Sequence, residues 1–381
     1  VDKKREPDGT TRSLAIIFSP LISAKKDAPF IQLEQTMTQS LEFGLDTFGD
    51  VTTGPDGDLL GQPQVIRNVV EEAVLADRHG IDFFGVGEHH RKDFAVSAPE
   101  VVLAAIAAQT SKIRLGSAVT VLSSDDPIRV FQRFSTLDAI SNGRAEVILG
   151  RGSFIESFPL FGYDLSKYEE LFEQKLDLFS ELVSKDVVNY RGGWRAPLED
   201  QRIYPPIGDG RLKTWIGVGG SPESVIRAVR HDMNLMLAII GGDPARFVPY
   251  VELYKKASEQ AGRTPGAIGV HSPGYIAESD EQARLDLFPH FKKIRDRLGK
   301  ERGWPPVTEE DFENEIEHGS LYAGSAETVA QKIATTVRTL GISRFQMKYS
   351  AGPMEHEKLM QSIELYGSKV VPQVRALLGQ S

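Results

Sequence analysis

From residue 41 onward, short apolar runs alternate with longer amphipathic stretches. Runs of apolar, β-branched and aromatic residues read as buried parallel strands, and apolar positions recurring every three or four residues read as helices. The pattern predicts a first strand over 41–48. A helix follows over about 65–79, with Val65, Val69, Val70, Ala73 and Leu75 on one side and His79-Gly80 at its end. A second strand is expected over 81–87, then a helix over about 98–110 with Pro99 in its first turn, where the missing N–H costs nothing. Strand three spans 113–122 and precedes a helix over about 127–140. Strand four spans 145–150, and a long amphipathic helix runs over about 167–184. Further strands are expected at 214–218, 233–239, 267–276 and 344–349. The remaining helices fall at about 222–231, 244–261, 279–298, 326–340 and 355–378.

Eight strand-like runs alternating with helices favour an α/β (β/α)8 TIM barrel, with insertions in the strand–helix connections, over a doubly wound sheet. A dinucleotide-binding sheet would carry G-x-G-x-x-G early in the chain. Gly217-Val218-Gly219-Gly220-Ser221-Pro222 has proline where the third glycine belongs, so that fingerprint fails. Three connections are long, at about 151–166, 186–213 and 300–324. The last holds six acids from Glu309 to Glu317, read as a solvated face rather than a metal site. No internal repeat or Gly/Ser-rich linker divides the chain, so residues 41–381 are expected to form one domain.

Residues 1–40 stand apart as an N-terminal extension, weakly structured or not native. Lys3-Lys4-Arg5 ahead of the apolar stretch 13–23 loosely imitates a signal peptide, but Pro20 interrupts it and Lys25-Lys26-Asp27 follow. Met37 is the first methionine. Translation is therefore expected to start there, or residues 1–36 to form a weakly structured extension.

Charge and composition narrow the function. A net charge of −9, with no basic run beyond Lys3-Lys4-Arg5, argues against nucleic-acid binding. No apolar stretch approaches the roughly 20 residues of a membrane-spanning helix. Zero cysteines exclude disulfides, a thiolate nucleophile and zinc–cysteine sites, and fit a cytoplasmic protein.

The candidate chemistry sits at strand ends. Gly87-Glu88-His89-His90 closes the second strand, at the C-terminal end where α/β barrels keep their chemistry. Adjacent residues on an extended chain point to opposite faces, so His89 and His90 do not converge easily on a metal. Metal ligation, a packing role and a catalytic or cofactor-facing role are the three readings, and no metal site is expected. Ile148-Leu149-Gly150-Arg151-Gly152-Ser153 ends the fourth strand with two glycines, a guanidinium and a hydroxyl, the chemistry of a phosphate grip; its bland reading is a glycine turn with Arg151 in a surface ion pair. Gly219-Gly220-Ser221-Pro222-Glu223-Ser224 repeats the signature after the fifth strand. There Ser221 can cap the helix and bond an anion at its N-terminus, and Glu223 is expected to point outward. Small residues at Gly116-Ser117-Ala118-Val119 mark either a bulge or simple filling of a tapered barrel. Phe154, Phe158, Phe161 and Tyr163 crowd the next loop as local core or as a lid.

In this order these segments resemble the bacterial luciferase-like flavin-dependent monooxygenases. The match runs over roughly 41–378. It takes in Gly85-Val-Gly-Glu-His-His90, Arg114-Leu-Gly-Ser-Ala-Val119, Asp126-Pro-Ile-Arg-Val130, Thr136-Leu-Asp-Ala-Ile-Ser-Asn-Gly-Arg144 and Gly150-Arg-Gly152, then Tyr168-Glu-Glu-Leu-Phe-Glu173, Val218-Gly-Gly-Ser-Pro-Glu-Ser224 and Gly324-Ser-Ala-Glu-Thr-Val329. The resemblance implies a barrel that binds FMN at its C-terminal mouth. Reduced FMN and molecular oxygen would oxidise a small organic substrate through a flavin hydroperoxide. It makes His89 the active-site histidine, with Glu88 setting its orientation or tautomer. Arg151, Gly152, Gly219, Gly220, Ser221 and Ser224 become the phosphate-binding set. Ser117, Ala118 and Val119 become a bulge behind the flavin ring, where family members often carry a non-proline cis peptide. Glu169 departs from the pattern, standing about where luciferase has a second phosphate-binding arginine. A separate flavin reductase and a homodimer are further expectations. A deazaflavin-dependent hydride-transfer oxidoreductase, a non-catalytic flavin-binding protein and a metal hydrolase are the rival readings.

Overall fold

The computed structural model describes residues 40–380 apart from Ser153 and Asp209, with no side chain described for Arg302. The expectations for residues 1–39 and for Ser153 lie outside the described residues.

The chain opens with strand β1 (Glu42–Thr47), helix α1 (Gln62–Arg78), β2 (Phe83–Val86) and α2 (Pro99–Ala107). Next come β3 (Arg114–Ser117), the two-residue β4 (Thr120–Val121), α3 (Pro127–Ser141) and β5 (Ala145–Gly150). The connection after β5 carries a short α4 (Ser157–Phe161) before α5 (Tyr168–Ser184) and a hairpin, β6 (Val188–Tyr190) with β7 (Leu198–Gln201). Then follow β8 (Lys213–Val218), α6 (Pro222–Arg230), β9 (Asn234–Ala238), α7 (Val248–Gln260) and β10 (Ile268–Ile276). The last part comprises α8 (Asp280–Arg302), α9 (Glu309–Glu317), β11 (Tyr322–Gly324), α10 (Ala326–Leu340) and β12 (Arg344–Lys348), then α11 (His356–Leu365) and α12 (Val371–Leu377).

Eight parallel strands close on themselves in the order β1-β2-β3-β5-β8-β9-β10-β12, with β12 returning to β1. This is the expected TIM barrel. Its packing follows from the two-residue period of a strand. Outward positions such as Phe43, Leu45, Phe84, Val147, Leu149, Ile216, Leu235 and Phe345 join the large core beneath the helices. The alternate positions Phe83, Ile148, Trp215 and Met236 form a separate apolar cluster inside the barrel.

Below that cluster the interior is ionic. Glu146, wholly buried on β5, accepts from both terminal nitrogens of Arg344 (2.7 and 2.9 Å) and from the Trp215 indole at 2.8 Å. Arg114 bonds it as well, and Lys213 lies 3.4 Å away. Burial alone would raise the Glu146 carboxyl, but Arg344, then Lys213 and Arg114, hold it far below the usual range. Arg344, Lys213 and Arg114 open their strands and Glu146 is second in its own, so the network fills the N-terminal end.

The structure adds detail that the pattern lacked. The third strand is broken between Ser117 and Thr120, and β4 resumes pairing with β5. The hairpin β6–β7 lies in a stretch with too little apolar periodicity to signal strands. The acidic run is the helix α9, which begins with Thr308 and Asp311 capping each other. No group of three His, Cys, Asp or Glu side chains that could hold a metal occurs among the described residues. Nor is any helix among them long and apolar enough to cross a membrane.

Candidate active site

The C-terminal end of β2 leads straight into Gly87-Glu88-His89-His90, and side chains alternate along this extended segment. His89 is buried in an aromatic cage, its ring centroid 4.5 Å from Phe48, 4.6 Å from Phe94 and 4.7 Å from Phe154. Its Nδ1 faces Glu156, 3.6 Å away. His90 turns the other way, edge-on to Phe161, with Nε2 3.6 Å from Glu88. The Glu88 carboxylate raises the His90 pKa, against burial. This corrects the expectation that Glu88 orients His89. Residues two apart share a face, so Glu88 belongs with His90, and Glu156 from the next long loop stands beside His89. Glu88 also accepts from the Val121 amide at 2.6 Å, tying the end of β2 to β4.

That bond secures the break in the third strand. The Ala118–Val119 peptide is cis. Both side chains occupy space that neighbouring strands leave by carrying glycine. A Cβ on Gly85 would lie 2.8 Å from the Ala118 Cβ, and one on Gly150 would lie 2.6 Å from a Val119 methyl. The buried Ser117 hydroxyl donates to the Ile148 carbonyl (3.0 Å) and accepts from the Ile148 amide (3.2 Å). It thereby continues the β3–β5 pairing by side chain where the backbone departs.

The two anion-grip segments come together. Arg151 leaves β5 and pairs with Glu169 in the first turn of α5. Its guanidinium lies over Tyr168, 5.6 Å from the ring centroid, and the Tyr168 hydroxyl donates to the Gly152 carbonyl at 2.8 Å. Gly152 has φ 80°, a conformation few residues other than glycine adopt. Across from it, Ser221 caps α6 by accepting from the Ser224 amide at 3.3 Å. A Cβ on Gly219 would meet nothing within 4 Å, so this turn leaves room for a ligand. Glu223 does not point away: it folds back to accept from the Ser221 hydroxyl at 2.8 Å. A reach of two residues lets a first-turn carboxylate meet its own cap.

Sequence reasoning missed Arg227. It is 7% exposed, donates to the Ser224 hydroxyl at 2.9 Å and pairs with Glu173 at 2.5 Å. Its position three residues after Ser224 puts both on one face of α6, and that spacing was the available signal. Asp46 and His271 were missed too. Asp46 Oδ2 lies 2.8 Å from His271 Nδ1 inside the barrel, while Asp46 Oδ1 and both amide atoms of buried Gln346 have no hydrogen-bond partner. Buried polar atoms of this kind are rare, and a bound ligand is one way to satisfy them.

The site therefore has two chemically distinct ends. One gathers guanidinium groups, hydroxyls and a helix N-terminus, a donor set suited to phosphate. The other offers an aromatic-caged imidazole beside a wall of small residues at the barrel mouth, suited to a flat ring.

A closed (β/α)8 barrel with these strand-end segments defines a class, and the sequence profile of the luciferase-like monooxygenases matches residues 47–344. The chain belongs to that family, a family of oxygen-incorporating enzymes. It is 30% identical over 308 residues to N-acetyl-S-alkylcysteine monooxygenase of Bacillus subtilis, covering 76% of this chain and 90% of the relative. Two solved structures share the fold. The oxygenating constituent of 3,6-diketocamphane monooxygenase from Pseudomonas putida, in complex with FMN, is 19% identical with TM-score 0.71, over 88% of this chain and 99% of that one. The coenzyme F420-dependent tetrahydromethanopterin reductase of Methanopyrus kandleri is 18% identical with TM-score 0.64, over the same shares.

Proposed function

We propose that this protein is an FMN-dependent monooxygenase acting on a small organic substrate. The observation that carries the reading is the donor set at the ends of β5 and β8: Arg151, Ser221, Ser224 and Arg227 on one side of a mouth whose other wall is Ala118, Val119 and His89. The first group would hold the FMN phosphate and the second would face its ring. Gly152 and the Gly219-Gly220 turn bring backbone close to the phosphate.

Reduced FMN, when bound, supplies the electrons that activate oxygen. The chain's own residues do the rest. Ala118 and Val119, seated against glycines, give the ring a side on which it rests. Phe48, Phe94 and Phe154 keep water from His89. Glu156 beside Nδ1 favours a proton on that nitrogen, so Nε2 is the atom left to exchange a proton with the reacting groups. The chain lacks a nicotinamide fingerprint, which accords with reduced FMN arriving from a separate reductase. One barrel domain, a cytoplasmic location and a homodimer complete the reading, on the resemblance and the absence of cysteine.

Titration of the purified protein with FMN, followed by oxygen uptake with chemically reduced FMN, tests the proposal. Saturable binding and oxygen consumption are expected. Binding of a deazaflavin cofactor in preference to FMN, with no oxygen uptake, would replace the monooxygenase reading by hydride transfer.

A further inference from the structure

The phosphate grip already holds an anion, and it belongs to the protein. One carboxylate oxygen of Glu169 pairs with Arg151, and the other lies 3.7 Å from Arg227. Glu169 thus bridges the two guanidinium groups that a phosphate would bridge. The two other acids of the grip are placed differently. Glu173 is the standing partner of Arg227 and Arg230, bonded to both. Glu223 is bonded to the Ser221 cap. Glu169 alone joins one side of the grip to the other while its side chain is 58% exposed. It can swing into solvent at little cost, because an ion pair with a largely exposed carboxylate is weak in water.

Charge sharpens the point. Arg151, Arg227 and Arg230 stand among Glu169, Glu173, Glu223 and Asp177, so the grip has no positive charge to spare before any ligand enters. A phosphate dianion gains full use of Arg151 and Arg227 only when Glu169 has left.

We propose that Glu169 is a displaceable stand-in for the cofactor phosphate. It keeps Arg151 and Arg227 in place in the empty enzyme, weakens FMN binding by competing for them, and so keeps the cofactor exchangeable. The inference rests on the FMN reading above.

The test is equilibrium titration of the full chain by flavin fluorescence, comparing FMN with riboflavin, which lacks the phosphate, in wild type and Glu169→Gln. Glu169→Gln is expected to tighten FMN by about 3- to 10-fold, the scale of one exposed charge acting on another, and to leave riboflavin unchanged. Inorganic phosphate should compete with FMN more strongly in the variant. Glu223→Gln, which keeps the Arg151–Arg227 bridge, should give a smaller gain. Unchanged or weaker FMN binding in Glu169→Gln overturns the stand-in role, as does an equal gain for riboflavin. If neither flavin binds wild type or variant while both are folded by circular dichroism, the FMN reading itself fails and this inference with it.

Discussion

Glu156 lies 3.6 Å from Nδ1 of His89, and it reaches there from the loop after β5 rather than from the histidine's own strand. The loop that carries the candidate phosphate arginine therefore also carries the acid beside the candidate proton-transfer residue. Burial would raise the Glu156 carboxyl, but its bond to His89, with help from Arg91, holds it below the usual range. An ionised Glu156 is what an imidazolium at His89 needs as a partner.

His89→Ala is expected to lower turnover about 100-fold or more, the scale of a general acid–base contribution, with FMN affinity nearly intact. Glu156→Gln should change the pH dependence of turnover, and Glu88→Gln should not. Single-turnover oxidation of reduced FMN across pH checks this. Normal rates in the His89 variant, or failure confined to His90→Ala, would move the chemistry elsewhere.

Loss of the phosphate grip should appear as lost affinity. Arg151→Ala is expected to weaken FMN by about 1.5–3 kcal/mol, the range for a hydrogen bond to a charged group, and riboflavin hardly at all. Fluorescence titration with both ligands separates phosphate recognition from ring recognition. A loss shared equally by the two would place the phosphate away from Arg151.

Acid should destabilise this protein for two stated reasons. Glu146 titrates in the fold far below its ordinary 4.5, so the unfolded chain takes up its proton first; that stabilisation is present above pH 4.5 and fades as the pH falls. Burial, followed by the neighbouring Arg230, pushes His231 down to about 4 from 6.5, so the unfolded chain also binds more protons between those values and stability rises with pH there. Glu146→Gln should cost about 1–3 kcal/mol near neutral pH, because buried Arg344 loses the carboxylate it shares with Arg114 and Lys213 and keeps only Glu42 as an anionic partner. Urea unfolding of wild type, Glu146→Gln and His231→Gln between about pH 2.5 and 7 measures both, the first below pH 4.5 and the second between about 4 and 6.5. A variant as stable as wild type at pH 7 would remove Glu146 as the keystone of the barrel floor.

Two glycines that look alike in sequence should differ. A Cβ on Gly150 would stand 2.6 Å from a Val119 methyl, whereas one on Gly217 would stand 3.4 Å from the other methyl. Gly150→Ala is expected to destabilise by about 1–3 kcal/mol, as overpacking does, and to weaken flavin binding. Gly217→Ala should be milder in both. Thermal unfolding and FMN titration of the pair decide it.

The barrel was legible because strand and helix periods survive averaging over many residues. The observed β5 has the expected bounds, and β1, β2 and β8 differ only at their ends. The site was legible where it is built from strand-end clusters such as Arg151 and Ser221-Ser224. It was not legible where partners come from distant parts of the chain. Asp46 and His271 meet across β12, which lies between their strands, and nothing local in either segment marks the other. Glu88 is a different kind of miss: the alternation that separates His89 from His90 also separates Glu88 from His89. Arg227 was one helical turn from a residue already chosen.

Val119 and Gly150 occupy one volume between two strands, which bears on how this protein can diverge. A lineage exploring larger side chains at 150 meets the valine first. Shrinking Val119 to alanine opens the space, and only then does alanine at 150 fit; taken in the reverse order, the first step passes through a crowded mouth. The double change should therefore be better tolerated than the sum of the two alone. Relatives that carry a side chain at the end of this strand are expected to carry a smaller residue at the break in the third, a paired inheritance imposed by the shape of one bulge.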